Sequence, residues 1–375
     1  MQLAAIFKAK NEPKSIQRLV VDLRPFFQTI PKAKTGKIVR ALIDEVSAIK
    51  GATEIVIELC KDSIEWAEAE KRTFLRLPLQ AKLASSYYET GQYAESLKIS
   101  TPLLRELRKL DDKRLLVALH LVESMVYHAQ NHLPKSRASL TAARTAANAI
   151  YCPPQLQAEL DMQSGTLHAE EGDYKTGYSY FYEAYEGYSS LNTSEDQRLA
   201  QSCLKYMLLT KIMAGNAEDV AALTSGKLAL QFADEKLESI MSIAKAYRAA
   251  SLRQFQDSIK KYTEELEKDP VIHRHLEQLN QKLLEDNLLR IVSPFSQVEI
   301  SHVAHLIELD IKQVEKKLSQ MILDKKLPGI LDQGNDCLIV FDDPEPDGTY
   351  KAALETITHI GTVVESLYTR ANRLR

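Results

Sequence analysis

Glycine is scarce in this chain. It supplies 13 of 375 residues, about half the ~7% usage of an average protein. Few glycines leave few places for strained turns, which suits a mostly helical chain. Cysteine is scarce too: Cys60, Cys152, Cys203 and Cys337 lie far apart, with no CxxC pair. That excludes a disulfide framework and fits buried thiols in a reducing compartment. No stretch approaches the ~18 apolar residues that a membrane helix needs. The first residues do not read as a secretion signal, because Lys8 and Lys10 follow the short run Ala4-Ala5-Ile6-Phe7. A basic excess is also missing. The formal net charge is −3 and the pI about 6.3, which argues against a general nucleic-acid binder. Hydrophobic residues make up 45%, enough for a core and too many for wholesale disorder.

What is present is a phrase that recurs about every forty residues. It reads aromatic, three residues, Gly or Asn, one residue, bulky apolar, two residues, small. The copies are Tyr87, Gly91, Tyr93 and Ser96; then Tyr127, Asn131, Leu133 and Ser136; then His168, Gly172, Tyr174 and Gly177. The steps between them are 40 and then 41 residues at every position. This spacing predicts the inner helix, turn and outer helix of a tetratricopeptide-like unit, longer than the usual ~34 residues. Stacks of such hairpins are usually surfaces for binding other proteins, and that lowers the expectation of an enzyme.

Earlier residues read as helical pairs, with Ile38, Leu42, Ile43 and Val46 at helical spacing, as are Val56, Leu59, Cys60 and Ile64. Pro13, Pro25, Pro31 and Pro78 mark expected helix starts or breaks, and Pro153-Pro154 stops one helix and opens the next. Two degenerate copies follow, at Met207–Thr210 with Gly215, and at Ala244–Tyr247 with Ser251 and Phe255. Ile272–Asn287 reads as another helix. The texture then changes to a β-like run at Leu288–Val292 and a helix capped by Ser296, with Val298, Ile300, Val303 and Ile307 inward. A second helix follows at Ile311–Lys326, then strands at Leu327–Leu331 and Cys337–Phe341 around a turn at Asp332–Asp336. Strand, helix, helix, strand, turn, strand is the order of a winged helix. Past the acidic, proline-broken linker Asp342–Gly348, a last helix runs to Arg375. Its Tyr350, Leu354, Ile357, Gly361, Val364, Tyr368 and Ala371 step by 4, 3, 4, 3, 4, 3, a coiled-coil type of seam, widened by Ala353, Ile360, Val363 and Leu367.

Motifs that could carry chemistry are weak. His273-x-His275 with Asp286 has the spacing of a metalloprotease zinc site, but Leu283 stands where that pattern wants Ser and no Pro follows His275. Residues two apart on a helix also point to opposite sides, so they cannot share one zinc. His128 and His132 have no Glu between them, and His302 and His305 have no third ligand nearby. Ser225-Gly226-Lys227 is not a phosphate loop, because Ala221 replaces its first glycine and Leu228 its Ser or Thr. Tyr178, Phe181, Tyr182 and Tyr185 fall on one stripe and read as helix packing, not as a ligand cage. In the winged helix, Lys312, Lys316, Lys317, Lys325 and Lys326 are offset by Glu315 and Asp324, and by Asp332 and Asp336 in the wing. Protein contact is expected there, not DNA or RNA. No catalytic residue, cofactor or metal is expected.

Helical repeats running into a winged helix and then a protruding terminal helix resemble the PCI-domain proteins, scaffold subunits of the proteasome lid, the signalosome and translation initiation factor three. The strings WAEAEKRTFLR at 66–76, NAIYCPP at 148–154, LDMQSG at 160–165, SQMILDKKLPGILDQG at 319–334 and YKAALETI at 350–357 resemble the lid branch of that family. The resemblance begins at about Pro25, and residues 1–24 do not share it. It implies a mostly α fold: a right-handed tetratricopeptide-like arm at 1–176, a PCI domain at 177–345 (helical part 177–287, winged helix 288–345) and a bundle helix at 346–375. It also implies a non-catalytic clamp in the cytoplasm and nucleus, with other lid subunits, the ATPase ring and the outer ring of the 20S core as partners, and no membrane. The expected contact residues are Leu338, Ile339 and Val340, if their strand is an edge, and Leu354, Ile357, Val364, Leu367 and Tyr368 on the last helix.

Overall fold

A computed structural model describes residues 6–7, 10, 12–27, 30–47, 49, 51–191, 194–216, 220, 235–262, 270–307, 309–332, 334–341 and 348–373. The chain divides into two compact units, Met1–Glu277 and Gln278–Arg375. The first holds α1 (Pro13–Asp22), α2 (Arg24–Phe27), α3 (Lys32–Ser47), α4 (Thr53–Ala69), α5 (Thr73–Glu89), α6 (Tyr93–Leu110) and α7 (Lys113–Ala129). It continues with α8 (Leu133–Asn148), α9 (Pro154–Glu170), α10 (Tyr174–Ser189), α11 (Ser194–Met213), α12 (Glu235–Arg248) and α13 (Leu252–Lys261). The helix α14 (Pro270–Val292) spans the division. The fold is a helical solenoid that ends in a winged helix and a C-terminal helix.

The recurring phrase has a geometric cause at each of its positions. Gly91, Asn131 and Gly172 close α5, α7 and α9 in the left-handed conformation, with φ of 77°, 59° and 86°. Only glycine and, next best, asparagine take that conformation without a large steric cost. The N–H after each reaches back to the carbonyl of the aromatic position: Gln92 to Tyr87, His132 to Tyr127 and Asp173 to His168, at 2.9, 2.9 and 3.0 Å. The Gly or Asn N–H itself bonds Tyr88, His128 or Ala169. Each closure is a Schellman cap that satisfies two terminal carbonyls and turns the chain into the outer helix.

The small residue sits where the outer helix crosses the inner one. Ser96 Oγ donates to the Ala84 carbonyl at 2.9 Å, and Ser136 and Ser124 bond each other's carbonyls at 2.8 and 2.9 Å. In the third copy both positions are glycine. A Cβ on Gly177 would meet the Gly165 carbonyl at 3.2 Å, and one on Gly165 would meet the Phe181 ring at 2.8 Å. The crossing needs a small residue on both helices, and the inner partners Ala84, Ser124 and Gly165 repeat at the same 40- and 41-residue steps.

Inner helices pack on inner helices, α5 on α7 and α7 on α9. Leu103, Leu104, Leu107, Leu116 and Leu119 form one buried layer, and Val117, Leu121, Leu140, Leu160 and Leu167 the next. Phe181, Tyr185 and Tyr188 of the tyrosine-rich helix are core residues, but Tyr182 is exposed and lies outside that stripe. Pro153 and Pro154 behave as the sequence suggests, Pro153 at the N-cap and Pro154 opening α9. Pro78 does not break a helix. It lies inside α5, where the missing bond leaves free the carbonyl of Phe74, an exposed residue that water can reach.

The second unit contains the end of α14, β1 (Gln297–Glu299), α15 (Ile300–Ile307), α16 (Ile311–Leu323), β2 (Gly329–Asp332), β3 (Cys337–Val340) and α17 (Gly348–Arg373). The winged-helix order holds, with its first strand displaced. Leu288–Val292 is helical, because Leu288 and Val292 continue the buried stripe of Ile272, Leu276, Leu279 and Leu283 at steps of three to five. The strand is Gln297–Glu299 instead, and Val298 is its inward residue; Ser296 caps no helix and accepts the Val340 N–H through its own carbonyl. The sheet order is β1-β3-β2, antiparallel throughout, with Val298 opposite Leu338 and Leu338 opposite Leu331. Those three face the core built from Leu288, Val292, Val303, Val314, Leu318 and Met321.

Candidate interaction surfaces

The eight predicted contact residues fall into two sets. Leu338, Ile339 and Val340 belong to β3, which is hydrogen-bonded on both sides. The condition that this strand be an edge is therefore not met: its pairing groups are used, and the open edges belong to β1 and β2. Leu338 is fully buried and Val340 packs on the same core. Ile339 points to the opposite face, beside its register partner Ile330, which is exposed, as is Phe341 just beyond the strand. Sequence reading missed Ile330 and Phe341, because period-two alternation shows which residues share a face only once the strand boundaries are known.

The second set lies on α17. Every described side chain from Ala352 to Asn372 is exposed. Leu354, Ile357, Val364, Leu367 and Tyr368 are 50 to 69% exposed, and Tyr350, Ile360 and Val363 extend the same surface. A Cβ on Gly361 would meet nothing within 4 Å. These side chains form an apolar face that no described residue covers.

The winged helix is less basic than its lysine count suggests. Glu285 of α14 accepts from Lys317 of α16 at 2.9 Å and from Lys326 at 2.6 Å. Burial pushes the Glu285 carboxyl up, but the two lysine hydrogen bonds and charges outweigh that and hold it below the usual range. In the wing, Asp332 accepts from the Gly334 N–H and the Asn335 amide, both at 2.9 Å, and those bonds lower its carboxyl. Two of the five lysines are thus tied to one carboxylate within the domain, which offsets one of their two charges, and a hydrogen-bonded carboxylate stays ionised in the wing.

His273 is exposed while His275 is 3% exposed, so the two point to opposite sides of α14. No group of three or more metal-ligating side chains occurs among the described residues. Nor is any described helix long and apolar enough to cross a membrane. Burial pushes the thiols of Cys60 and Cys203 up to about 12, which keeps them protonated and unreactive. Ser225-Gly226-Lys227 and the linker Asp342–Asp347 lie outside the described residues.

His128 has a different role. Its Nε2 lies 2.8 Å from Glu170 Oε1, and Arg274 of α14 donates to the same oxygen at 2.8 Å. The Glu170 side chain is only 5% exposed. Burial raises its carboxyl, but the His128 hydrogen bond and the charges of His128, Arg274 and His275 outweigh that and leave it below the usual range. One carboxylate thus ties α7, α9 and α14 together. Sequence reading could not find it, because its partners lie 42 and 104 residues away and follow no motif.

Comparison with known proteins completes the picture. The N-terminal domain of 26S proteasome regulatory subunit RPN6 matches residues 1–90, the PCI domain matches 259–342, and the C-terminal helix domain of RPN6 matches 346–372. The first match overturns the expectation that the resemblance begins near Pro25. A 26S proteasome non-ATPase regulatory subunit 11 homolog of Arabidopsis thaliana is 52% identical over 361 residues, 96% of this chain and 85% of that protein. The probable 26S proteasome regulatory subunit rpn6 of Schizosaccharomyces pombe is 51% identical over 365 residues, 97% of this chain and 86% of its own length. The RPN6 subunit of Saccharomyces cerevisiae is 42% identical over 375 residues, covering 100% of this chain and 86% of that subunit. The chain belongs to the family of 26S proteasome regulatory subunit RPN6, also named non-ATPase regulatory subunit 11.

Proposed function

We propose that the protein is a non-catalytic scaffold subunit of the lid of the 26S proteasome regulatory particle, acting in the cytoplasm and nucleus in ubiquitin-dependent degradation. Its arm (1–176) holds the ATPase ring against the outer ring of the 20S core. Its PCI domain (177–345) joins neighbouring lid subunits, and its last helix (346–375) enters a helical bundle. The observation that carries this reading is α17, which presents an apolar seam with no covering partner from its own chain among the described residues. A helix of this kind gains most of its stability from packing, so it calls for other helices. The Ile330, Ile339 and Phe341 surface and the open edge of β2 suit a sheet-to-sheet contact with a second PCI domain.

The test is purification of the chain tagged at its N-terminus, so that α17 stays free, with mass spectrometry of what it retains. Recovery of lid, ATPase and core subunits with peptidase activity is expected. Recovery of signalosome or initiation-factor subunits instead would keep the fold and overturn the function.

A further inference from the structure

The inner helices of the first unit line a groove of about 890 Å³ to which α3, α5, α7, α9, α11 and α14 all contribute. Its size falls within the ~300–1,000 Å³ of ligand sites. The groove wall includes Leu121, Met125 and Met162. Methionine is the side chain best suited to repack around varied apolar occupants.

One side is polar in a specific way. Glu159, Met162, Gln163 and Thr166 stand at i, i+3, i+4 and i+7 on α9 and all line the groove. Thr166 is satisfied by its own helix, its hydroxyl donating to the Met162 carbonyl at 2.9 Å. Gln163 is not satisfied. It is 7% exposed, and its amide nitrogen has no hydrogen-bond partner among the described residues. Glu159 likewise makes no ion pair or hydrogen bond among them. Asp196 of α11 is itself 7% exposed and acts on Glu159 as a second negative charge. Lys82, Arg40 and Arg274 line the groove too, but none of them is bonded to Glu159, and Arg274 is paired with Glu170. Burial first, and Asp196 second, push the Glu159 carboxyl above its usual range. Glu159 is thus a partly desolvated carboxylate with no ion-pair partner among the described residues, and the buried amide donor of Gln163 one turn along lacks an acceptor.

We propose that this groove is a docking site for a peptide segment of a partner protein that carries an arginine or lysine between apolar side chains. The cationic head seats against Glu159, the peptide backbone supplies a carbonyl to Gln163, and the flanking side chains pack on Met125 and Met162. The site is separate from the contacts made by α17 and by the sheet, so it stands whether or not those are as proposed.

The test uses the full chain and fluorescein-labelled nonapeptides of serine and leucine with a single central arginine, norleucine or glutamate, read by fluorescence anisotropy. The arginine peptide is expected to bind at least tenfold more tightly than the other two. Glu159→Gln should cut that preference to threefold or less, whereas Glu183→Gln, on the exposed side of α10, should leave it intact. A second readout needs no variant: the methyl resonances of Met125 and Met162 should shift with the arginine peptide and not with the glutamate peptide. Equal binding of the three peptides, no binding up to millimolar concentration, a preference that survives Glu159→Gln, or unmoved methionine methyls would each overturn the proposal.

Discussion

Helix α9 and helix α17 carry apolar residues in similar proportion, six of 17 and eleven of 26, and meet opposite fates. In α9, Ala158, Leu160, Leu167 and Ala169 are buried, and so are the polar Asp161, Gln163, Ser164 and Thr166. Asp161 is held by Arg144 at 3.0 Å and Gln157 at 2.9 Å, and Ser164 bonds its own helix. Around α9 the chain supplies nearly every partner itself. In α17 every described side chain from Ala352 to Asn372 is exposed. A helix of 26 residues is about 39 Å long, and leaving its apolar side in water forfeits the burial that holds α9 in place. If α17 enters a bundle as proposed, the arm is a finished structure and α17 is half of one.

The largest expected effect breaks the unfinished half. Placing charges on the seam with Val364→Asp and Leu367→Asp should abolish incorporation into the regulatory particle on native gels, because buried unpaired carboxylates are costly. The melting temperature of the isolated chain should stay put, since both side chains are already exposed. Normal incorporation would sink the bundle role.

The finished half should fail in the opposite way. Gly165→Val would drive a side chain into the Phe181 ring, 2.8 Å from where its Cβ would stand, and should cost about 3 kcal/mol in urea unfolding. The seam residues play no part in that loss. Glu170→Ala removes the carboxylate shared by His128 and Arg274 and should cost about 2–3 kcal/mol, because two donors lose their acceptor in a buried site. The same residue gives a pH signature. Its carboxyl lies below the usual value in the folded chain, so its stabilisation is present above the unfolded pKa of about 4.3 and disappears as pH falls through the depressed value. Between pH 7 and 3, Glu170→Gln should flatten the loss of stability relative to the unaltered chain.

The smallest effect sharpens the comparison most. Glycine inside a helix costs about 1 kcal/mol relative to alanine, and no atom of the described residues crowds Gly361. Gly361→Ala should therefore raise the helix content of the free chain slightly, as seen by circular dichroism. If a partner helix approaches closely there, the same change should weaken assembly. A gain in both would mean that nothing packs on that position.

The sequence made the repeat legible because its cause is local. A left-handed cap favours Gly or Asn, as at Gly91, Asn131 and Gly172, and a close helix crossing favours a small residue, as at Ser96, Ser136 and Gly177. The seam of α17 was legible for the same reason, since heptad spacing is a property of one helix. What stayed hidden depends on distant partners. The first strand has three residues and lies behind an apolar run that helical periodicity claims. The central place of β3 is a fact of sheet order, which no strand states on its own. Glu170 looked like one acidic residue among 51 until the fold brought His128 and Arg274 to it.

The contrast between the two helices is tested most directly by amide hydrogen exchange on the free chain and on the assembled particle. In the free chain, residues 154–189 should be protected while residues 350–371 exchange orders of magnitude faster, as expected of a helix without tertiary contacts. In the particle, 350–371 should become protected to a similar degree. Strong protection of that segment in the free chain, or none in the particle, would contradict the account that α17 is completed by its partners.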